Sequence, residues 1–273
     1  MKPQRILITG AAGGMGRLLR PRLARPGRVL RLLDIAPIDP GDDGAEIVRA
    51  SITDADAMQA ACRDVDVLLH LGGLSTEHAW AQILEINIHG SYVALDAARR
   101  AGVARAVLAS SNHAIGYLRP GDGDIDAAAF PRPDTHYGVS KVALEALGSL
   151  YADRYGMGVV AVRIGSCFER PKDARMLRTW LSPDDGARLF EACFAAPAPG
   201  FRVVWGASDN TRHWVSLEPA RALGYAPQDD SERFAADIDA QGEPDPDGFL
   251  MSYLGGAWCG PDWNTAEKED AAR

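Results

Sequence analysis

Tyr137 and Lys141 stand four positions apart in the run Tyr-Gly-Val-Ser-Lys. On a helix that spacing puts two side chains on one face, so the ammonium would sit beside the phenol and favour its ionised form. A tyrosine held ready to lose a proton is a general base. Ser111 and Asn112, in the run Ser-Ser-Asn-His upstream of the pair, offer a hydroxyl and an amide that could steady a reacting oxygen.

A second stretch with chemical content lies near the N-terminus, where Gly10, Gly13, Gly14, Met15 and Gly16 separate an apolar run from an amphipathic one. At a strand-to-helix turn, missing Cβ atoms let backbone N–H groups approach a pyrophosphate at the positive end of the helix. The spacing is Gly-x-x-Gly-x-x-Gly, and a glycine turn alone also serves as a tight structural turn. Asp34 supplies context, because it closes the next apolar run about twenty residues on, where a carboxylate accepts hydrogen bonds from an adenosine ribose. The same charge repels a 2′-phosphate, so NAD is expected rather than NADP. Ser51 and Ile52, and then Leu71, Gly72 and Gly73, follow later apolar runs where adenine and the inner edge of the cofactor would pass; ordinary strand-end packing explains them nearly as well. A phenolate base beside a dinucleotide points to hydride transfer at a carbon bearing oxygen.

The elements that must position these groups follow from periodicity. Short runs rich in Val, Ile and Leu recur at 6–8, 29–33, 47–48, 65–71, 106–109 and 159–164, with amphipathic stretches at 15–24, 55–62, 81–100 and 137–155 between them. That alternation predicts an α/β fold, a doubly wound parallel sheet of Rossmann-like kind over residues 1–165. After Ile164 the rhythm breaks into a helix at 183–194, a strand at 201–205 and Pro/Asp-rich connections, so 166–273 is expected to form a smaller substrate-covering region. Residues 242–248 and 267–273 read as solvated, and no internal repeat is present.

The chain has 273 residues, 47% apolar and 24% charged, which suits a folded globular protein. Its net charge of −8 disfavours a nucleic-acid surface. Cys62, Cys167, Cys193 and Cys259 show neither metal spacing nor a paired framework, and no run is long enough for a membrane span. With no room for a secretory signal before the first apolar run, a cytoplasmic location is expected.

The glycine turn, Asp34, Ser111, Tyr137 and Lys141 together resemble the extended short-chain dehydrogenase/reductase superfamily over residues 4 to 166. The resemblance implies that Tyr137 is the base, that Lys141 lowers its pKa while holding the nicotinamide ribose, and that a hydroxyl steadies the substrate oxygen. Many extended members carry a hydroxyl where this chain has Asn112, so the last role is given to Ser111 and Asn112 jointly. The resemblance offers Asn87, in the long helix, a bracing role through backbone contacts, and it is read as a structural residue.

A narrower resemblance, to the uronate dehydrogenase family, rests on Leu71-Gly72-Gly73-Leu74-Ser75, on Ser110 to Tyr117, on Arg163-Ile164-Gly165-Ser166-Cys167, on Arg175-Met176-Leu177 and on Val203 to Ser208. It implies oxidation of D-glucuronate or D-galacturonate at the anomeric carbon, giving an aldaric acid lactone and NADH without a metal. Arg175 would grip the uronate carboxylate, and Ser75, Ser111, Asn112, His113 and Ser166 would contact sugar hydroxyls. Ile164 and Cys167 would border the cofactor, with a small buried side chain as the default for Cys167. The tryptophans are assigned to packing. The family tends to associate, so a homo-oligomer is expected. Two alternatives stay open: a nucleotide-sugar epimerase or dehydratase using the same pair, and a non-enzymatic dinucleotide-sensing module, which commonly loses Tyr and Lys.

Overall fold

The first apolar run forms β1 (Gln4–Thr9), in which Ile6 and Ile8 enter one core while Leu7 enters the other. Burial of both faces is what an unbroken apolar strand needs, and it fits a parallel sheet covered by helices on each side. The computed structural model describes residues 3–121, 124–242, 244–245, 248–261 and 263. The solvated segment expected at 267–273 lies outside the described residues, as does part of that at 242–248.

The glycine turn leads into α1 (Gly14–Leu23), followed by β2 (Arg28–Asp34), β3 (Glu46–Arg49), α2 (Ala55–Ala61) and β4 (Val67–His70). Trp80–Gln82, Ile83–His89 and Gly90–Arg100 then run on as one long helix, α3. After it come β5 (Arg105–Ser111), α4 (His136–Tyr155), β6 (Gly158–Ile164), α5 (Pro183–Ala195) and β7 (Phe201–Gly206). The sheet has seven parallel strands in the order β3-β2-β1-β4-β5-β6-β7. From β1 the chain builds outward on one side and then returns to the other, which opens a crevice at the carboxyl ends of β1 and β4.

One feature differs from the sequence expectation. The expected helix at 81–100 is present, but its middle, Ile83–His89, is a π-helix, and this wider turn carries Asn87 into the interior. Periodicity does not reveal such a segment, because its outer face reads as an ordinary helix. The strand expected at 201–205 is β7, which pairs with β6 from Val159↔Phe201 to Ile164↔Gly206, so the later chain contributes to the same sheet. The later chain also forms the short pair Ser166–Cys167 and Trp180–Leu181.

Candidate active site

The cofactor-side residues converge on the crevice. Gly10 has φ +69°, and a Cβ there would meet the Gly72 nitrogen at 2.8 Å, so the turns after β1 and β4 touch backbone to backbone. Gly16 is equally constrained, with an added Cβ 2.4 Å from the Ala11 carbonyl oxygen. Gly14 faces open space, and no side chain caps the first turn of α1. Met15 sits in that turn and packs on the core. A bare helix N-terminus approached only by glycines is a cradle for a pyrophosphate.

Asp34 ends β2, where its Oδ2 accepts from the Ala12 N–H at 2.9 Å and its Oδ1 from the Ala36 N–H at 2.9 Å. Those bonds fix the carboxylate against the glycine turn and leave each oxygen a further lone pair for a ribose hydroxyl. These residues fit a dinucleotide. Ser51 bonds Thr53 Oγ1 at 2.8 Å, and buried Ile52 packs against Gly72 and Gly90, so both also do local work.

Tyr137 and Lys141 lie in the first turns of α4, both buried, with the ammonium 5.4 Å from the centre of the phenol ring. The helix begins there because Thr135 accepts from the Gly138 N–H at 3.0 Å, and Glu77 accepts from the His136 and Tyr137 N–H groups at 3.2 and 2.7 Å. Lys141 donates a hydrogen bond to the Ala109 carbonyl at 2.8 Å. The electrostatics differ from the simple expectation of a phenol lowered by its lysine. Burial pushes Tyr137 up to about 12, against a lowering hydrogen bond from Ser111, while burial pulls Lys141 down to about 8. Glu145, locked by Arg163 at 2.8 and 2.9 Å, partly restores the lysine's charge.

At the end of β5, Ser111 Oγ accepts the His113 N–H at 3.2 Å, and the Asn112 amide donates to the Leu254 carbonyl at 3.2 Å. His113 Nδ1 lies 2.7 Å from Asp134 Oδ2, both side chains buried, so the carboxylate fixes the ring and leaves Nε2 unused by that bond. The Asp134 carboxylate fits because Gly116 and Gly255 lack side chains: a Cβ at either would stand 1.8 or 1.9 Å from Asp134 Oδ2.

Arg175 is 8% exposed and donates to the Leu254 carbonyl at 3.0 Å and to Ser166 Oγ at 3.5 Å. Among the described residues no carboxylate lies within ion-pair distance of it. Burial is the largest influence on its pKa, which is lowered. Ser166 also bonds Thr179 Oγ1 at 3.3 Å. Cys167 is buried and pushed up to about 12, with Ile164 buried next to it. Ser75 is exposed in the loop after β4.

Sequence reasoning missed Asp134, Glu77 and the Leu254 carbonyl, and it gave the tryptophans to packing. Trp180 and Trp205 are fully buried, but Trp258 stacks on His113 at 3.9 Å and meets Tyr137 edge-on at 5.8 Å. Its distance along the chain from the other site residues gave no signal.

Comparison with known proteins agrees with this geometry. The model of the NAD dependent epimerase/dehydratase family matches residues 6–216. The chain belongs to that family. Among family members, the uronate dehydrogenase of Pseudomonas putida is 46% identical over 256 residues, covering 93% of this chain and 95% of the relative. The crystal structure of uronate dehydrogenase from Agrobacterium tumefaciens superposes with TM-score 0.89 at 43% identity, covering 95% of this chain and 97% of that one. A tyrosine-to-alanine mutant of that enzyme, complexed with NAD, gives TM-score 0.89 at 42% identity, with 94% of this chain and 97% of that one covered. This member thus lies beside the uronate dehydrogenases along nearly its whole length.

Proposed function

We propose that this chain is an NAD-dependent oxidoreductase that oxidises a hexuronic acid, D-glucuronate or D-galacturonate, at the anomeric carbon to the aldaric acid lactone. The observation that carries the substrate class is Arg175, a buried guanidinium without a carboxylate partner among the described residues. A charge so buried is costly unless a partner arrives, and a guanidinium holds a carboxylate in a two-pronged grip. An uncharged sugar would leave it unpaired.

Bound NAD supplies the hydride acceptor. The chain's own residues handle the proton and the orientation. Tyr137 takes the proton of the C1 hydroxyl, and Lys141 favours the phenolate while holding the ribose. Ser111 steadies the sugar oxygen; Asn112 is the weaker candidate, since its amide already serves the Leu254 carbonyl. His113, with Asp134 on Nδ1, offers Nε2 as an acceptor for a sugar hydroxyl, and Ser75 and Ser166 add further contacts. Because the cyclic sugar bears a hemiacetal hydroxyl, removing its proton and hydride gives a lactone without added water. Gly10, Gly13, Gly14, Met15, Gly16, Asp34, Ser51, Ile52, Leu71, Gly72, Gly73, Ile164 and Cys167 form the cofactor side of this reading.

The test is NADH formation from glucuronate, galacturonate, glucose and glucose 6-phosphate with NAD. Uronates should be turned over and glucose should not; a nucleotide-sugar epimerase would release no NADH from any of them. Arg175→Ala should raise the uronate KM at least about a hundredfold, from loss of a buried charge-assisted pair, with NAD affinity unchanged. Normal glucuronate kinetics in that variant would defeat the carboxylate assignment.

The reading extends to a cytoplasmic homo-oligomer. Trp80, Leu84 and Tyr92 on α3, and Val139, Leu150 and Tyr155 on α4, are exposed apolar side chains on two neighbouring helices, as a self-associating surface requires. Light scattering on the purified chain should return a multiple of 29.3 kDa; a monomer at micromolar concentration would end that part of the proposal.

A further inference from the structure

The centre of the sheet holds a buried histidine that the chemistry above does not use. His70 closes β4 beside Thr9 of β1, with both side chains buried. Its Nδ1 lies 2.8 Å from Thr9 Oγ1 and its Nε2 lies 3.1 Å from Ser91 Oγ on α3. Burial pulls its pKa down to about 3, and the Lys141 ammonium adds to that, so the ring is neutral.

Its proton is located by elimination. Ser91 has one hydroxyl proton, which goes to the Asn87 carbonyl, so Ser91 accepts from His70 and the ring proton is on Nε2. Nδ1 is then an acceptor, and the Thr9 hydroxyl donates to it. The Thr9 oxygen in turn accepts the Gly72 N–H at 3.1 Å, a close approach at which a Cβ on residue 72 would stand 3.0 Å from that oxygen. Every bond from Gly72 through Thr9, His70 and Ser91 to Asn87 therefore points the same way, an arrangement in which each bond strengthens the next.

The two ends of this chain of bonds belong to the two halves of the site. Gly72 lies against Gly10 in the dinucleotide crevice. The Asn87 side chain clasps the backbone of Leu74 at 2.8 and 3.0 Å and donates to Ser140 Oγ at 3.0 Å; Ser140 donates to the Tyr137 carbonyl at 2.6 Å.

We propose that His70 is a positioning residue for hydride transfer: it couples the cofactor-side backbone at Gly72 to Asn87, and through Asn87 to the helix that carries Tyr137. The kinetic part rests on the dehydrogenase reading above. Were the histidine only satisfying its own buried atoms, replacing it would lower stability without touching the link between the two halves.

The experiment is a double-mutant cycle with Thr9→Val and Ser91→Ala, two small changes at opposite ends of the imidazole. NAD affinity is measured by tryptophan fluorescence with no sugar present, and kcat with glucuronate. Each single change should weaken NAD binding about fivefold, as loss of one buried hydrogen bond does, and the double variant should be no worse than either single one. His70→Leu should lower kcat about tenfold with the uronate KM nearly unchanged, and His70→Gln, an amide able to accept at one end and donate at the other, should restore most of it. Additive losses in NAD affinity, or wild-type affinity in all three of Thr9→Val, Ser91→Ala and His70→Leu, would overturn the proposal. Because the binding measurement needs no sugar, a wrong substrate assignment would show separately, as absent turnover in the unmodified enzyme.

Discussion

Tyr137 and Lys141 are shifted in opposite directions by one cause, removal from water, and each shift favours the neutral form. The consequence for Lys141 is measurable. Between about pH 8 and its ordinary value of 10.5 the folded chain releases this proton before the unfolded chain does. In that window the unfolded state binds more protons, so this residue's contribution to stability rises with pH. Lys141→Met should abolish the rise, by on the order of 3 kcal/mol across the window, and denaturant titrations at several pH values would reveal it; a wild-type and variant difference independent of pH would contradict the assignment. For Tyr137, replacement by Phe removes the acceptor oxygen and keeps the ring that packs against His113 and Trp258. Turnover should fall at least about a thousandfold with NAD affinity retained, as loss of a general base predicts. The Tyr137 and Lys141 pair and Asp34 stand out in the sequence by side-chain chemistry and spacing, whereas Arg175 stands out only through the family resemblance, since a loop arginine otherwise reads as a surface charge. Asp134 and Glu77 do not, since a carboxylate in a loop looks solvated until the fold brings Nδ1 of a histidine or the end of a helix to it.

At the scale of elements, the start of α4 is the sensitive point. Thr135 satisfies one of its free N–H groups and Glu77, from the loop after β4, satisfies two. Thr135→Ala should cost about 1 kcal/mol in stability, measured by chemical denaturation, and should lower kcat more than it raises the uronate KM, because Tyr137 sits one residue into the helix. An unchanged kcat would mean that Glu77 alone sets the first turn. The alternation of apolar runs was enough to foretell the strands, since burial on both faces leaves little choice of residue. It could not foretell the π-helix at Ile83–His89, whose geometry answers to Asn87 and its partners elsewhere in the fold.

At the scale of the whole molecule, distant parts of the chain share single atoms. The Leu254 carbonyl accepts from both Asn112 and Arg175, and the backbone N–H groups of Leu254 and Gly255 donate to Leu118 and Gly116 at 2.9 Å. Gly255→Ala would drive a methyl group into the Asp134 carboxylate. The variant should lose about 2 kcal/mol or more of stability by overpacking, seen as a lower Tm, and most of its turnover, while NAD binding persists. Intact activity would show that Asp134 has room to move. The strand expected at 201–205 is β7 of the main sheet, because the exposed edge of β6 needed a partner and Phe201–Gly206 supplied the apolar run.

The position of residue 254 also bears on timing. Translation delivers the glycine turn and Asp34 first, then Tyr137 and Lys141, then Arg175, and after all of these the carbonyl that Arg175 and Asn112 share. A nascent chain halted before that residue carries the glycine turn but lacks the acceptor that Arg175 and Asn112 share. Loss of that one residue's carbonyl would thus strip Arg175 and Asn112 of an acceptor together, while the glycine turn keeps its own contacts.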